Sequence, residues 1–115
     1  MSDKLLKSNF KDIYSECTTE NDYYSLNQAY IVNSFVVIRG TIKKSISGTY
    51  MKNMIPQRYA PYKNAYGLMT YRNGGNDVGQ VPIVELNTSG QLYVWIQKAL
   101  TGDCQFQLMY PLKID

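Results

Sequence analysis

The stretch that decides the fold runs from Ile83 to Lys98 and reads IVELNTSGQLYVWIQK. It contains two runs with an apolar residue at every second position, which is the pattern of β-strands because successive side chains point to opposite faces. Between the runs lies Asn87-Thr88-Ser89-Gly90, a turn signal in which Gly90 supplies the residue with positive φ. We therefore predict a β-hairpin whose strands are Gly79 to Leu86 and Gln91 to Lys98.

The two faces of this hairpin have different expected roles. A core stripe is predicted for Val84, Leu86, Leu92, Val94 and Ile96. The opposite face carries Ile83, Glu85, Gln91, Tyr93, Trp95 and Gln97. An outward Tyr93–Trp95 pair is too apolar to stand in bulk water without a purpose. We interpret Tyr93, Trp95 and Gln97 first as a subunit interface and second as a sugar-binding platform, because aromatic rings stack on the apolar faces of pyranose rings.

Other short strands surround the hairpin. The clearest is Phe35 to Lys44, where Gly40 marks a bulge or a close approach of another chain segment and where the predicted core residues are Val36, Ile38, Gly40 and Ile42. Further strands are expected within Tyr23 to Val32, Tyr66 to Arg72 and Cys104 to Tyr110, and turns at Asn73-Gly74-Gly75-Asn76-Asp77 and Thr101-Gly102-Asp103.

The spacing of these strands predicts a single all-β domain, an antiparallel β-sandwich or jelly-roll, over residues 22–115. Residues 1–21 are more polar and are expected to form an arm or a short amphipathic helix. Residues 47–64 are expected to be a long connection, because Pro56 and Pro61 exclude a regular helix and hold the path extended.

Composition limits the class of protein. The 115 residues are 44% hydrophobic and 18% charged, which is enough apolar material for one core. The net charge of +3 comes from twelve Lys and Arg spread along the chain, so nucleic acid is not the expected partner. No run resembles a signal peptide or a membrane span, and we expect a protein made in the cytoplasm without membrane insertion. Two free thiols are expected, with Cys104 buried on a strand, and a Cys17–Cys104 bridge is the lesser alternative.

The residue types that carry most catalysis are missing. The sequence has no histidine, which excludes the Ser-His-Asp triad and the zinc sites that use histidine. Of the nine acidic residues only Glu85 lies inside a predicted strand, and Asp77 and Asp103 are most simply turn formers. We therefore expect a non-enzymatic protein with no catalytic residue, no metal site and no cofactor.

Several motifs in order resemble the distal domains of bacteriophage tail, fibre and baseplate proteins, especially those of phages of Gram-positive hosts. The motifs are Pro56-Gln-Arg-Tyr59-Ala-Pro61, the hairpin Val84-x-Leu86-x-x-x-Gly90-x-Leu92-x-Val94, the closing Tyr110-Pro111 and an opening strand Phe35 to Ile42. The resemblance covers residues 30–112. It implies a homotrimeric virion structural protein with other virion proteins as partners and, in many members, contact with a host cell-surface polysaccharide. The chain is short for a complete fibre and has no shaft, so both a receptor-binding and a capping or head-decorating subunit remain open.

Within this hypothesis, aromatic and cationic residues in loops are the candidate ligand contacts: Tyr50, Arg58, Tyr59, Tyr62 and Tyr66. Arg58 is suited to bidentate hydrogen bonding with an anionic wall polymer. The other interpretation is that Tyr59 and Tyr62 only hold the proline loop on the sandwich. Two alternative functions stay open as well, a stand-alone carbohydrate-binding module or lectin and a single-stranded nucleic-acid binder of the OB type.

Overall fold

The computed structural model describes residues 10–71 and 83–113. These residues form nine strands: β1 Phe10–Asp12, β2 Tyr24–Val32, β3 Phe35–Ile42, β4 Gly48–Asn53, β5 Ala65–Tyr66, β6 Leu68–Tyr71, β7 Ile83–Leu86, β8 Gln91–Ile96 and β9 Cys104–Pro111. Two 3-10 turns, Tyr14–Glu16 and Gln57–Tyr59, complete the regular structure of the described segments. Neither described segment contains a helix long and apolar enough to cross a membrane.

The strands form two antiparallel sheets that share one core. The first sheet has the order β1-β2-β3-β9-β6 and the second sheet the order β4-β8-β7-β5. This confirms the expected all-β, sandwich-like domain. It also differs from the five-stranded barrel that defines an OB fold.

The predicted core stripe of the hairpin is confirmed. Val84, Leu86, Leu92, Val94 and Ile96 are each at most 2% exposed. The alternate residues of β3, namely Val36, Ile38, Gly40 and Ile42, are buried as well, together with Phe106 and Leu108 of β9. Each such aliphatic side chain contributes about 1.5–3 kcal/mol by its burial. The apolar alternation of β3 and of the hairpin therefore holds the two sheets together.

Gly40 is a point of close approach. A Cβ atom at this position would lie 2.3 Å from Cζ of Phe106 and 2.4 Å from the carbonyl oxygen of Ser25. The irregularity of register lies opposite, in β2 between Leu26 and Gln28. Of the two roles predicted for Gly40, the structure therefore supports close packing, and the bulge belongs to the partner strand.

The prediction of one continuous strand from Tyr66 to Arg72 was wrong. Ala65–Tyr66 pairs with β7 in the second sheet, whereas Leu68–Tyr71 pairs with β9 in the first sheet. The chain changes sheets at Gly67, whose N–H donates to the carbonyl of Val84 at 2.7 Å. A Cβ atom there would lie 3.2 Å from Cβ of Val84, a tight contact, so the corner favours a residue without a large side chain.

The prediction of a long connection over residues 47–64 was also wrong in its first part. Gly48–Asn53 pairs with β8 from Gly48↔Ile96 to Asn53↔Gln91 and forms an edge of the second sheet. Most residues of this strand are exposed, so its sequence lacks the apolar alternation that reveals the other strands. Residues 54–64, which include both prolines, contain no regular helix apart from the 3-10 turn that follows Pro56, as the sequence predicts.

The described part of the N-terminal segment is extended rather than an amphipathic helix. Phe10–Asp12 pairs with β2, and the only helical element between residues 10 and 21 is the single 3-10 turn. Ile13 is fully buried in the common core, and its N–H donates to the carbonyl of Ala29 at 3.0 Å. Residues 10–21 therefore pack as part of the sandwich. The turn predicted at 73–77 lies outside the described residues.

Candidate functional site

The outer surface of the second sheet carries a row of large apolar side chains. Register places Tyr93 between Met51 and Glu85, and Tyr66 beyond Glu85 on the next strand. A parallel row places Trp95 between Thr49 and Ile83. Because their strand neighbours point into the core, all of these side chains point outward. We call this surface the aromatic face, and its members are Thr49, Met51, Tyr66, Ile83, Glu85, Tyr93 and Trp95.

Much of the aromatic face is open to solvent. Met51 is 49% exposed, Tyr66 is 70% exposed and Ile83 is 40% exposed, whereas Tyr93 and Trp95 are half-buried between their cross-strand neighbours. The outward orientation predicted for the Tyr93–Trp95 pair is confirmed, and its role in an interface stays a prediction. An apolar surface of this kind is typical of contact with another protein or with a flat ligand.

The aromatic face is interrupted by one charged side chain, because Glu85 stands between Tyr93 and Tyr66. Glu85 is its one charged member, and the amide of Asn64 donates to Oε1 of Glu85 at 2.8 Å. Gln97, the third predicted interface residue, lies one position past the end of β8 and is exposed. A partner that covered this face would therefore have to desolvate a single carboxylate, which already has a hydrogen-bond donor.

Tyr50 is not a loop residue, contrary to the sequence-based expectation. It lies in β4 on the side that faces the core, where its ring stacks on Tyr23 with a centroid separation of 3.8 Å. Its hydroxyl donates to the carbonyl of Ser47. Both the ring and the hydroxyl of Tyr50 are therefore used within the chain, which gives it a structural role.

Arg58 and Tyr59 lie in a cluster with two residues of the N-terminal segment. The Arg58 guanidinium donates to Glu16, the Tyr59 hydroxyl lies 3.1 Å from both carboxylate oxygens of Glu16, and Lys11 donates to that hydroxyl at 2.9 Å. The bond from Arg58 holds the pKa of Glu16 below its usual 4.5. The same bond raises the pKa of Arg58, and the bond to Tyr59 raises that of Lys11.

This cluster joins the proline loop to the sandwich. Tyr59 is only 6% exposed, its ring lies 4.8 Å from the Arg58 guanidinium, and its carbonyl accepts a 2.7 Å bond from the hydroxyl of Tyr110. Arg58 thus already has a carboxylate partner inside the chain. The geometry supports the interpretation in which Tyr59 holds the loop in place.

Tyr62 and Tyr66 form a second pair of predicted ligand residues, apart from the pair Arg58 and Tyr59. They are 59% and 70% exposed and line one shallow depression of about 360 Å³ with Met109 and Pro111. Tyr50 and Arg58 make their contacts elsewhere, with Tyr23 and Glu16. The five candidates therefore do not form a common site.

A polar groove on the first sheet was missed by the sequence analysis. Arg39 on β3 donates from Nε to Oε1 of Gln107 on β9 at 3.1 Å and from Nη1 to Oε1 of Gln28 on β2 at 3.3 Å. Two adjoining depressions, of about 440 and 460 Å³, share Arg39, Gln28 and Asn27 in their walls. We call them together the arginine–amide groove. Alternation alone places Arg39 and Gln107 on outer faces, but only the pairing of β3 with β9 makes them neighbours.

Both cysteines are free in the structure, and Cys104 is buried on β9 as expected. Burial raises the pKa of the Cys17 thiol to about 11, and burial also raises the pKa of Cys104. Neither thiol is therefore activated as a nucleophile at neutral pH. Within residues 10–71 and 83–113 no group of three or more His, Cys, Asp and Glu side chains could hold a metal ion.

The chain was compared with known protein families and with curated proteins, and neither comparison found a match.

Proposed function

We propose that the protein is a non-enzymatic structural subunit of a bacteriophage or prophage virion, of the fibre-tip, baseplate or head-fibre type, that assembles as a homotrimer through its aromatic face. The virion setting and the number of subunits come from the resemblance of the sequence to distal phage domains. The observation that carries the proposed assembly is the aromatic face, where Met51, Tyr93, Trp95 and Ile83 point outward in two parallel rows of the second sheet.

Such a row has the properties of an interface centre. Trp and Tyr dominate binding energy at protein interfaces because each ring buries roughly 150–250 Å² with little loss of side-chain freedom. The two rings stand on adjacent outward positions of one rigid strand, β8, which is paired on both sides. Little reorganisation is therefore needed before a second subunit can pack on them.

The positions of the acidic residues support the non-enzymatic part. Glu16 is bound to Arg58, Glu85 to Asn64, and Asp103 accepts a 2.8 Å bond from the backbone N–H of Lys44. Each of these carboxylates thus has a structural partner, which suits turns and loop anchors better than a pair of acid and base groups.

A second candidate is a stand-alone carbohydrate-binding module that uses the same face. The exposed ring of Tyr66 lies next to Glu85, which is bound to the Asn64 amide, so an aromatic surface adjoins hydrogen-bonding groups. In this case the protein would act as a monomer, because the face would be occupied by sugar rather than by another subunit.

The mass in solution separates these candidates. Light scattering coupled to size exclusion at micromolar protein should give three times the 13.2 kDa of the chain. The double variant Tyr93→Thr/Trp95→Thr should run as a folded monomer, since threonine keeps the β-propensity and removes the rings. The control Phe35→Thr removes an apolar side chain that is 42% exposed on the first sheet, and this variant should remain trimeric.

A monomeric wild-type protein would refute the trimer. So would an equal loss of mass in the control, which would mean that general surface apolarity and not the aromatic face drives association. If the wild-type monomer binds neutral oligosaccharides and the Tyr93/Trp95 variant does not, the carbohydrate-binding module replaces the structural subunit.

A further inference from the structure

We infer that the arginine–amide groove is a binding site for an acidic saccharide, with a carboxylate on Arg39 and sugar hydroxyls on the neighbouring amides. The groove lies on the outer face of the first sheet, whereas the aromatic face belongs to the second. The inference is therefore independent of the assembly proposed above.

Arg39 carries a charge that forms no ion pair among the described residues. Its guanidinium is bonded to two neutral amide oxygens on the flanking strands, and none of the ion pairs among the described residues involves it. Arg58, by contrast, is paired with Glu16. An exposed guanidinium whose plane is held by two side chains, and whose charge is not compensated, is prepared for bidentate binding of a carboxylate.

The walls of the arginine–amide groove contain several amide side chains. The amide side chains of Asn27, Gln28, Gln105 and Gln107 line the groove. The oxygens of Gln28 and Gln107 accept from Arg39, and that of Asn27 accepts a 2.8 Å bond from the hydroxyl of Thr41. Each of these oxygens already accepts one bond, so the N–H groups are the hydrogen-bond donors that the three amides add to the groove. A surface of this kind favours carboxylate and hydroxyl oxygens.

The arginine–amide groove has the size and the extended shape of a ligand-binding site. Each depression falls within the usual size of ligand pockets, about 300–1,000 Å³, and the two are continuous through Arg39. One end is bounded by Leu68 on β6, and the other by the stacked rings of Phe10 and Tyr30, whose centroids are 5.3 Å apart. The groove thus runs across the strands and can hold an extended chain, with an apolar wall for a sugar ring at one end.

The density of positive charge along the groove is low. Among residues 10–71 and 83–113, Arg39 is the only cation that lines the two depressions, and Asp12 stands at the end near Phe10. A nucleic acid carries one phosphate per nucleotide and requires several cations along its path. A chain with hydroxyls and one suitably placed carboxylate fits the single arginine better.

The experiment is isothermal titration calorimetry, in which an oligomer of galacturonic acid is added to the whole protein. The comparison ligand is the same oligomer with its carboxylates reduced to neutral alcohols. Arg39→Gln should weaken binding about tenfold or more, since hydrogen bonds to charged groups contribute on that scale. Arg39→Lys should retain only part of the wild-type affinity for the acidic oligomer, because lysine keeps the charge but not the planar donor pair.

Two further variants make the site specific. Asp12→Asn should strengthen binding by roughly twofold to fivefold through loss of a repulsive charge, and it keeps the oxygen that accepts from the N–H of Tyr14. Arg58→Gln, the matched control, should bind like the wild type because its charge lies in the Glu16 cluster. The Tyr93→Thr/Trp95→Thr variant should also bind normally, which separates this site from the proposed assembly.

The inference is overturned if the wild-type protein does not bind the acidic oligomer, or binds the reduced oligomer equally well. It is also overturned if Arg58→Gln weakens binding as much as Arg39→Gln does. Tighter binding of polyphosphate or of single-stranded oligothymidylate than of the uronate oligomer would assign the groove to a phosphate polymer instead.

Discussion

Replacement of Gly90 by alanine should be among the most damaging single-methyl changes in this chain. Gly90 has φ of +87°, and a Cβ atom there would lie 1.9 Å from the carbonyl oxygen of Ile55. The Gly90 carbonyl also accepts 3.1 Å bonds from the N–H groups of Met54 and Ile55. The hairpin turn is thus packed directly on the backbone that precedes the proline loop.

Two contributions make up the expected loss. Positive φ in a residue other than glycine costs about 1–3 kcal/mol. Relief of the overlap requires the turn to move away from Ile55, and the two hydrogen bonds lost in that movement contribute about 1 kcal/mol each. Gly90→Ala should therefore lower the free energy of unfolding by about 3–5 kcal/mol, a large part of the total for a small domain.

Gly48→Ala provides the matched control. Gly48 also has positive φ, +110°, but the nearest atom to its added Cβ would be the Tyr50 hydroxyl at 3.4 Å. The backbone contribution is common to both variants, so Gly90→Ala should be the less stable of the two by about 2 kcal/mol. Equilibrium urea unfolding, followed by far-UV circular dichroism and by the fluorescence of the single tryptophan, measures the difference. Equal stability of the two variants within about 0.5 kcal/mol would refute the packing of the turn on Ile55.

Two other predictions concern hydrogen bonds and pH. Tyr24→Phe removes a buried hydroxyl that donates at 2.6 Å to a carbonyl of the opposite sheet, and urea unfolding should show a loss of about 1–3 kcal/mol. Tyr14→Phe, which removes a longer and partly exposed bond, should cost clearly less, and the reverse order would contradict the burial argument. Glu16→Gln should destabilise the protein at pH 7, where the wild-type carboxylate is ionised and bound to Arg58. Because the folded-state pKa of Glu16 lies below 4.5, its contribution is present above that pH and is lost as the pH falls through the folded pKa. The difference between wild type and Glu16→Gln should therefore shrink between pH 7 and pH 3, and a constant difference would exclude the ion pair as its source.

In the candidate sites, the orientation of some side chains could be predicted from the sequence, whereas the partners of others could not. Outward orientation of Tyr93 and Trp95 could be predicted, because it depends only on alternation along one strand. The partners of Arg58 could not, because Glu16 lies 42 positions away and meets it only when the proline loop packs on the N-terminal segment. For the same reason the sequence suggested Arg58 as the cation open to a ligand, whereas the structure pairs Arg58 and leaves Arg39 among amides.

Local chemistry by itself determined the all-β class, the hairpin and the two faces of β3 and β8. Gly90 was recognisable because a turn of this kind requires positive φ, and the core stripe because a one-residue shift would move every apolar side chain to solvent. Tertiary structure alone decided the pairing of β3 with β9, the change of sheet at Gly67 and the edge strand Gly48–Asn53. The physical reason is that these features depend on contacts between segments distant in sequence. Phe35 pairs with Pro111, and the alternation within each strand is the same whichever partner it meets.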